Sequence, residues 1–169
     1  MAGRSADFRA LLEALSGAGV DFILIGGVAA AAHGSARATF DVDVVYERST
    51  ANVERLVRAL TSLRPYLRGA PPGLPFTFDV GTVTRGLNFT LDTTLGALDL
   101  LGEVVGGGTF HELAPFTVQL DLFGRWCRVV TLDKLITLKR AAGRPKDHEA
   151  LAELEALRDV LGQDPPLRW

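Results

Sequence analysis

The chain has 169 residues, 47% hydrophobic and 22% charged, which is the composition of a folded globular domain and excludes disorder of the bulk of the chain. Its 18 basic and 20 acidic residues give a formal net charge of −2, which argues against an electrostatic clamp on duplex DNA. Cys127 is the only cysteine, so an intramolecular disulfide and a cysteine-based zinc site are both excluded.

The N-terminal third shows no pattern of membrane insertion or secretion. Its longest uncharged run, residues 22–36, is shorter than the about 20 apolar residues that a membrane span needs, and it contains a glycine pair. Residues 1–15 interleave charged and apolar side chains, unlike a signal peptide. We therefore expect a cytoplasmic protein with no membrane partner.

The first part of the chain predicts helices and strands in alternation. Apolar residues at helical spacing begin at Phe8, with Ser5 and Asp7 as candidate caps. The predicted elements, in chain order, are a helix over residues 8–15, a buried strand over 20–25, a short helix over 28–33, a strand over 40–47 and an amphipathic helix over 50–63. In the strand over 40–47, Phe40 and the valines are expected on one face and two aspartates on the other.

The second part predicts a loop, further strands and two helices. Residues 64–75 are rich in proline and glycine and predict a loop long enough to be functional. Strands are predicted over 76–80, 87–91 and 96–104, followed by a hairpin around Gly124 whose second strand places Trp126 and Cys127 toward the core. A helix capped by Thr131 or Asp133 and a last helix over 151–161 end the prediction.

The segment most informative about chemistry is residues 24–47. Gly26 and Gly27 follow a predicted strand, so the backbone there can approach a bulky anion, and the start of the next helix offers free N–H groups; phosphate is the natural ligand. Asp41 and Asp43 lie two residues apart on one strand, so both carboxylates share a face. They could hold one divalent cation or bridge two.

The glycine pair, thirteen intervening residues and then Asp41-Val42-Asp43 resemble the signature of the polymerase-beta-like nucleotidyltransferase superfamily. The likeness is greatest to its small bacterial members, such as abortive-infection type toxins and antibiotic-modifying nucleotidyltransferases. The resemblance implies an α+β fold, a mixed β-sheet flanked by helices with further helices at the C-terminus. We expect a nucleotidyltransferase core over residues 1–131 and a helical segment over 132–169 packed on the same domain.

The same resemblance implies an enzyme that moves a nucleoside monophosphate from a nucleoside triphosphate to a hydroxyl group and releases pyrophosphate. Two Mg²⁺ ions are the expected cofactors, with Asp41 and Asp43 as metal ligands and catalytic residues. The nucleotide-binding residues that it implies are Gly26, Gly27, Arg37, Thr39, Lys139 and Lys146.

A third carboxylate is expected on a later strand beside the aspartate pair. We assign Asp99, because a single acid inside an apolar strand is costly unless it is paired or bound to metal; Asp121 is the alternative. In the C-terminal segment, Lys139 would neutralise phosphate, although basic residues at a helix end also complement the helix dipole. Asp147, which is near the start of the last helix, is equally well explained as a helix cap.

The acceptor and partners are left open by the sequence. An RNA end such as that of tRNA, a protein hydroxyl or a small molecule could accept the nucleotide, and four arginines could form a patch for RNA, Arg55, Arg58, Arg64 and Arg68. An antitoxin or a second copy of the chain is a candidate partner. Two alternatives to an enzyme stand beside this hypothesis: a non-catalytic nucleotide-binding or toxin–antitoxin partner protein with the same fold, and a purely structural domain.

Overall fold

The computed structural model describes residues 5–163, and nine strands lie in this range. They are β1 Phe22–Ile25, β2 Asp41–Tyr46, β3 Tyr66–Leu67, β4 Asn88–Thr93, β5 Gly96–Leu101, β6 Glu103–Val104, β7 Gly108–Thr109, β8 Thr117–Leu122 and β9 Arg125–Val130. Seven of them form one sheet in the order β3-β4-β5-β2-β1-β9-β8, and β6 and β7 pair separately. The large sheet is mixed, because β2 runs parallel to β5 and β1 parallel to β9 while the other pairs are antiparallel.

Seven α-helices flank this sheet. They are α1 Phe8–Gly17, α2 Gly26–Ala32, α3 Thr50–Leu60, α4 Val80–Arg85, α5 Phe110–Leu113, α6 Leu132–Ala142 and α7 His148–Gln163. Local side-chain caps explain where several of them begin. Asp7 accepts a hydrogen bond from the backbone N–H of Ala10 at 3.0 Å, and Thr131 accepts one from Lys134 at 3.2 Å. The predicted α+β fold is therefore confirmed.

The two faces of the central strands carry opposite chemistry. On one face of β2 and β5, Val42, Val44, Leu98 and Leu100 are fully buried. α1 packs on β2 and β9 and is joined by α3, so this face holds the main apolar core. The aspartates of the two strands point to the other face, where α2 contacts β2 and α6, and α6 contacts α7. The candidate site therefore lies between the sheet and the C-terminal helices.

Several predicted elements differ from the structure. Residues 76–80 are not a strand: Asp79 caps α4 by accepting from the N–H of Thr82 at 2.7 Å, and this local bond outweighs the strand propensity of the phenylalanines before it. The predicted strand over 96–104 is divided into two strands at Gly102. The backbone N–H of Gly102 donates to the carbonyl of Leu87 and to the side-chain oxygen of Asn88. The predicted loop contains β3, which pairs with β4.

Two aromatic side chains are more exposed than predicted. Phe40 precedes β2 and is 59% exposed, and Trp126 is 72% exposed on the outer face of β9, whereas Cys127 beside it is buried. Trp126 lies outside the core because side chains alternate along β9 and it points away from the buried face of Cys127, whereas Phe40 lies outside the core because it precedes the paired residues of β2. Within residues 5–163, no helix combines the length and the apolar character that membrane crossing requires.

Candidate active site

Three carboxylates meet on the open face of β2 and β5. Asp43 lies directly opposite Asp99 in the parallel register of these strands. Asp41 lies opposite Ala97, two residues earlier along each strand. One carboxylate oxygen from each of Asp41, Asp43 and Asp99 lies within 4.8 Å of the others, and all three residues are partly buried. We refer to these residues as the acidic triad. Asp121 lies on β8, which β1 and β9 separate from β2, so it is not part of the cluster.

Crowding of the triad changes the protonation of its central member. Burial, the negative charge of Asp41, and the hydrogen bond and charge of Asp99 together raise the pKa of Asp43 from its ordinary value of 3.8 to about 8. Lys139 opposes this shift. Without a cation, the triad therefore keeps a proton on Asp43 up to about pH 8, and a divalent ion would supply positive charge in place of that proton.

We expect the stability of the metal-free protein to show the effect of this proton as a pH dependence. Between about pH 4 and pH 8 the folded state keeps a proton on Asp43 that the unfolded chain has released, so the free energy of unfolding should fall as the pH rises through this range. In Asp43→Asn this loss is absent, so the variant should gain stability over the wild type as the pH rises. Denaturant unfolding in EDTA at several pH values measures the free energy of unfolding of the wild type and of Asp43→Asn. If the two free energies changed with pH in parallel, the raised pKa would not belong to Asp43.

The glycine pair packs directly against the residues of the site. A Cβ atom on Gly26 would lie 2.1 Å from Oδ2 of Asp43, and one on Gly27 would lie 2.3 Å from Oγ1 of Thr39. Gly26 also has a φ of +69°, in the left-handed region that disfavours other residues. The helix α2 begins at Gly26 itself, two residues earlier than predicted. Glycine is needed here because the backbone approaches β2 so closely.

A cleft of about 490 Å³ joins the triad to the C-terminal helices. Every residue that the resemblance implied for metal or nucleotide lines it: Gly26, Gly27, Arg37, Thr39, Asp41, Asp43, Asp99, Lys139 and Lys146. Arg37 lies near α7, 3.8 Å from the carboxylate of Glu153 and 3.9 Å from that of Glu149. The acidic triad forms one wall of the cleft, on the sheet. Lys139 on α6, with Arg144 and Lys146 before α7, forms a second wall, which we call the basic wall.

A buried carboxylate organises the basic wall. Asp147 is 5% exposed; its Oδ1 lies 3.3 Å from Nζ of Lys139, and its Oδ2 accepts a hydrogen bond from Nε of Arg144 at 2.7 Å. Burial raises the pKa of Asp147, but the Arg144 hydrogen bond and the Lys139 charge outweigh it and leave the pKa below its usual range. Asp147 thus holds two cations that line the cleft, a contact that the prediction of a simple helix cap missed.

Asp147→Asn should lower the free energy of unfolding by about 2 kcal/mol at neutral pH, because it leaves two cations without their buried partner. The loss should shrink as the pH falls below about 4, because the unfolded chain then takes up a proton at Asp147 that the native carboxylate, with its lowered pKa, binds only at lower pH. Denaturant unfolding measures the loss, with Asp159→Asn as the control, because Asp159 is an exposed acid of α7, the helix that follows Asp147. Equal losses in the two variants would contradict the role of Asp147.

Arg68 is a site residue that sequence reasoning assigned only to a surface patch. Its Nη2 donates to Oδ1 of Asp99 at 2.9 Å and to the carbonyl of Leu91 at 2.7 Å, and its Nε donates to Oδ1 of Asp92 at 3.1 Å. Burial alone lowers the pKa of Arg68, but Asp99 and Asp92 raise it above its ordinary value, so the group stays charged. No local pattern could have revealed this contact, because 31 residues separate Arg68 from Asp99.

His33 has a structural role. Its Nε2 lies 2.7 Å from the carbonyl of Val130, so it ties the end of α2 to β9. This agrees with the expectation of a polar residue at a helix end.

The acidic triad fits a hard divalent cation. It offers three carboxylates in close reach, which is the oxygen donor set that Mg²⁺ prefers. The described residues that line the cleft include no histidine or cysteine, so its chemistry does not favour zinc. Asp41, Asp43 and Asp99 could therefore hold Mg²⁺.

Comparison with solved structures places this fold. No protein-family model matches the chain, and no curated protein matches it. The lincosamide antibiotic adenylyltransferase LnuA, in its lincomycin-bound structure, superposes with a TM-score of 0.60 at 12% identity over 91% of this chain and 99% of its own. The antibiotic-resistance factor ANT(2'')-Ia gives 0.51 at 14% identity over 91% and 88% of the two chains.

A fungal structure agrees with these two. An antigenic nucleotidyltransferase-like protein from Paracoccidioides brasiliensis superposes with a TM-score of 0.53 at 14% identity over 94% of this chain and 79% of its own. The chain therefore shares the fold of these nucleotidyltransferase structures, which is the fold that the resemblance of residues 26–43 implied.

Proposed function

We propose that this chain uses its nucleotidyltransferase fold for Mg²⁺-dependent transfer of a nucleoside monophosphate from a nucleoside triphosphate to a hydroxyl acceptor. One observation carries the proposal: the acidic triad faces the cationic side chains of Lys139, Arg144 and Lys146 within one cleft. A nucleoside triphosphate with its metal needs both walls, because carboxylates bind the metal and cations bind phosphate oxygens.

Each group then has a role in the transfer. Asp41 and Asp43 would hold the metal that accompanies the triphosphate, and Asp99 would complete the site for a second ion. Bound Mg²⁺ supplies neutralisation of the charge on the α-phosphate and the leaving group. The acceptor oxygen forms a bond to the α-phosphorus while the bond to the bridging oxygen breaks; the electron pair leaves with pyrophosphate, and the hydroxyl proton passes to Asp99. Lys139 and Lys146 bind the departing pyrophosphate.

The solved structures favour a small-molecule acceptor as the first to test. The LnuA structure contains lincomycin, and ANT(2'')-Ia is an antibiotic-resistance factor. The predicted arginine patch for RNA is weakened, because Arg55 lies 3.7 Å from the carboxylate of Asp21 and Arg68 is occupied by two aspartates. A tRNA end, a protein hydroxyl, and an antitoxin or second copy as partner are retained as lower-ranked proposals.

The non-catalytic alternative receives less support from the geometry. A fold that only binds nucleotide has no need of a third carboxylate beside Asp41, whereas Asp99 reaches within 4.8 Å of it. We therefore place catalysis ahead of simple binding.

Calorimetric titration tests the proposal without knowledge of the acceptor. The purified protein is titrated with each of the four ribonucleoside triphosphates, with and without Mg²⁺, beside Asp41→Asn and the control Asp121→Asn on the distant strand β8. We expect Mg²⁺-dependent binding of at least one nucleotide that is lost in Asp41→Asn and kept in Asp121→Asn. ATP is the first donor to test, since LnuA is an adenylyltransferase. Absence of binding by all four would overturn the proposal.

A further inference from the structure

Arg68 contacts the acidic triad from the β4 side of β5. It directly follows β3, and its backbone N–H donates to the carbonyl of Thr90, the β4 residue that lies opposite Asp99. Its guanidinium reaches over β4 to Oδ1 of Asp99 at 2.9 Å. Asp99 is thus held between a carboxylate, Asp43, on one side and a permanent cation on the other.

The position of this cation does not depend on Asp99. Nε of Arg68 donates to Asp92 and Nη2 donates to the carbonyl of Leu91, so two further contacts on β4 keep the guanidinium in place. Asp99 can therefore turn toward a metal ion while Arg68 remains beside it. The Arg68 side chain is 30% exposed and that of Asp99 22%, so water screens their attraction only in part.

The guanidinium of Arg68 and a divalent ion would both be attracted to the same group, the negatively charged carboxylate of Asp99. A unit positive charge a few ångströms from a cation site also repels any ion that enters it. Asp41 has no comparable partner among the ion pairs of the described residues. The two ends of the triad are therefore unequal.

We propose that Arg68 is a positioning residue that competes with the divalent ion for Asp99, so that the metal at Asp99 is bound more weakly than the metal at Asp41 and Asp43. This inference rests on the proposed function. It implies that the wild-type protein readily binds one ion, the ion that accompanies the nucleotide. A second ion would bind at Asp99 only when the substrate phosphates add further negative charge to the site. Arg68 would in this way keep the reactive pair of ions from assembling without substrate.

The experiment measures Mn²⁺ binding without nucleotide, by electron paramagnetic resonance, for the wild type, four arginine variants, and Asp41→Asn and Asp99→Asn. Arg68→Met removes the charge and keeps the length of the stem, and Arg68→Gln keeps a hydrogen-bond donor, so a folding defect in one leaves the other available. Arg68→Lys keeps the charge. Arg58→Met removes a matched charge from the exposed surface of α3.

We expect both neutral variants at position 68 to bind the weaker Mn²⁺ about tenfold more tightly than the wild type does, because a nearby positive charge is gone. Arg68→Lys and Arg58→Met should stay within about threefold of the wild type. Melting temperature gives a second readout: in EDTA the neutral variants should melt below the wild type, since Asp99 has lost its counter-ion, and they should gain more from Mn²⁺ than the wild type gains.

Two failures can be told apart. If Asp99→Asn weakens Mn²⁺ binding while the neutral variants at position 68 bind no more tightly than the wild type, the inference is overturned and the proposed function survives. If neither Asp41→Asn nor Asp99→Asn changes Mn²⁺ binding, the metal site itself is wrong, and both the inference and the proposed function fall.

Discussion

Asp43→Asn should lower the rate of nucleotidyl transfer by about a thousandfold or more while the protein stays folded. Asp43 is the central member of the acidic triad, flanked by Asp41 on its own strand and by Asp99 opposite it on β5. An amide in its place loses a unit of the negative charge that neutralises the metal, and a metal ion contributes several kcal/mol to the stabilisation of charge in such transition states.

The fold should survive this change because the repulsion within the triad is relieved. Asparagine is nearly the same size as aspartate, and it can donate a hydrogen bond to Asp99, which the protonated Asp43 also provides. Pyrophosphate release measures the rate, with the donor found by calorimetry and a panel of hydroxyl compounds as acceptors. Asp121→Asn, on a strand outside the cluster, is the control and should keep full activity. Turnover retained by Asp43→Asn would exclude it as a metal ligand.

Gly26→Ala should destabilise the protein by about 3 kcal/mol or more and abolish binding of the Mg²⁺–nucleotide complex. Two costs add. The φ of +69° disfavours any residue with a Cβ atom by about 1–2 kcal/mol, and that Cβ would lie 2.1 Å from the carboxylate of Asp43 and 3.0 Å from its Cβ. Rotation of the Asp43 side chain cannot relieve the second contact, so β2 must shift and the triad must open.

Gly124→Ala separates the two costs. Gly124 has a φ of +79°, but nothing lies within 4 Å of the Cβ that it would acquire, so this variant carries only the conformational strain of about 1–2 kcal/mol. Denaturant midpoints for the two variants, together with calorimetry, measure the difference between them. If Gly124→Ala proves as destabilising as Gly26→Ala, the close approach of Gly26 to Asp43 has no energetic consequence, contrary to this expectation.

Local sequence was a good guide to the elements around the site. The caps at Asp7 and Thr131 and the alternation of valine with aspartate in β2 act through contacts only a few residues apart, so a linear pattern contains them. The glycine pair and its spacing to Asp41 and Asp43 resemble a known family signature, and that resemblance implied the nucleotidyltransferase fold that the structure has. Where a local cap opposed strand propensity, as Asp79 does before α4, the pattern misled.

The order of the strands decided what local sequence left open. Asp99 and Asp121 are each a single acid in an otherwise apolar strand, and nothing near either residue reveals which strand lies beside β2. The parallel pairing of β2 with β5 brings Asp99 opposite Asp43, and the place of β8 at the sheet edge removes Asp121.

By itself, then, the sequence determined the type of most elements, the fold and the aspartate pair on β2, because caps, strand alternation and a short motif depend on neighbours in the chain. Only the tertiary structure decided which residue is the third carboxylate. It also revealed the ion pairs of Asp147 with Lys139 and Arg144, and the contact of Arg68 with Asp99. These depend on how α6 and the segment before α7 pack beside the sheet and on the pairing of β3 with β4 at the sheet edge. That packing is set by burial of apolar surface over the whole domain, which no short segment contains.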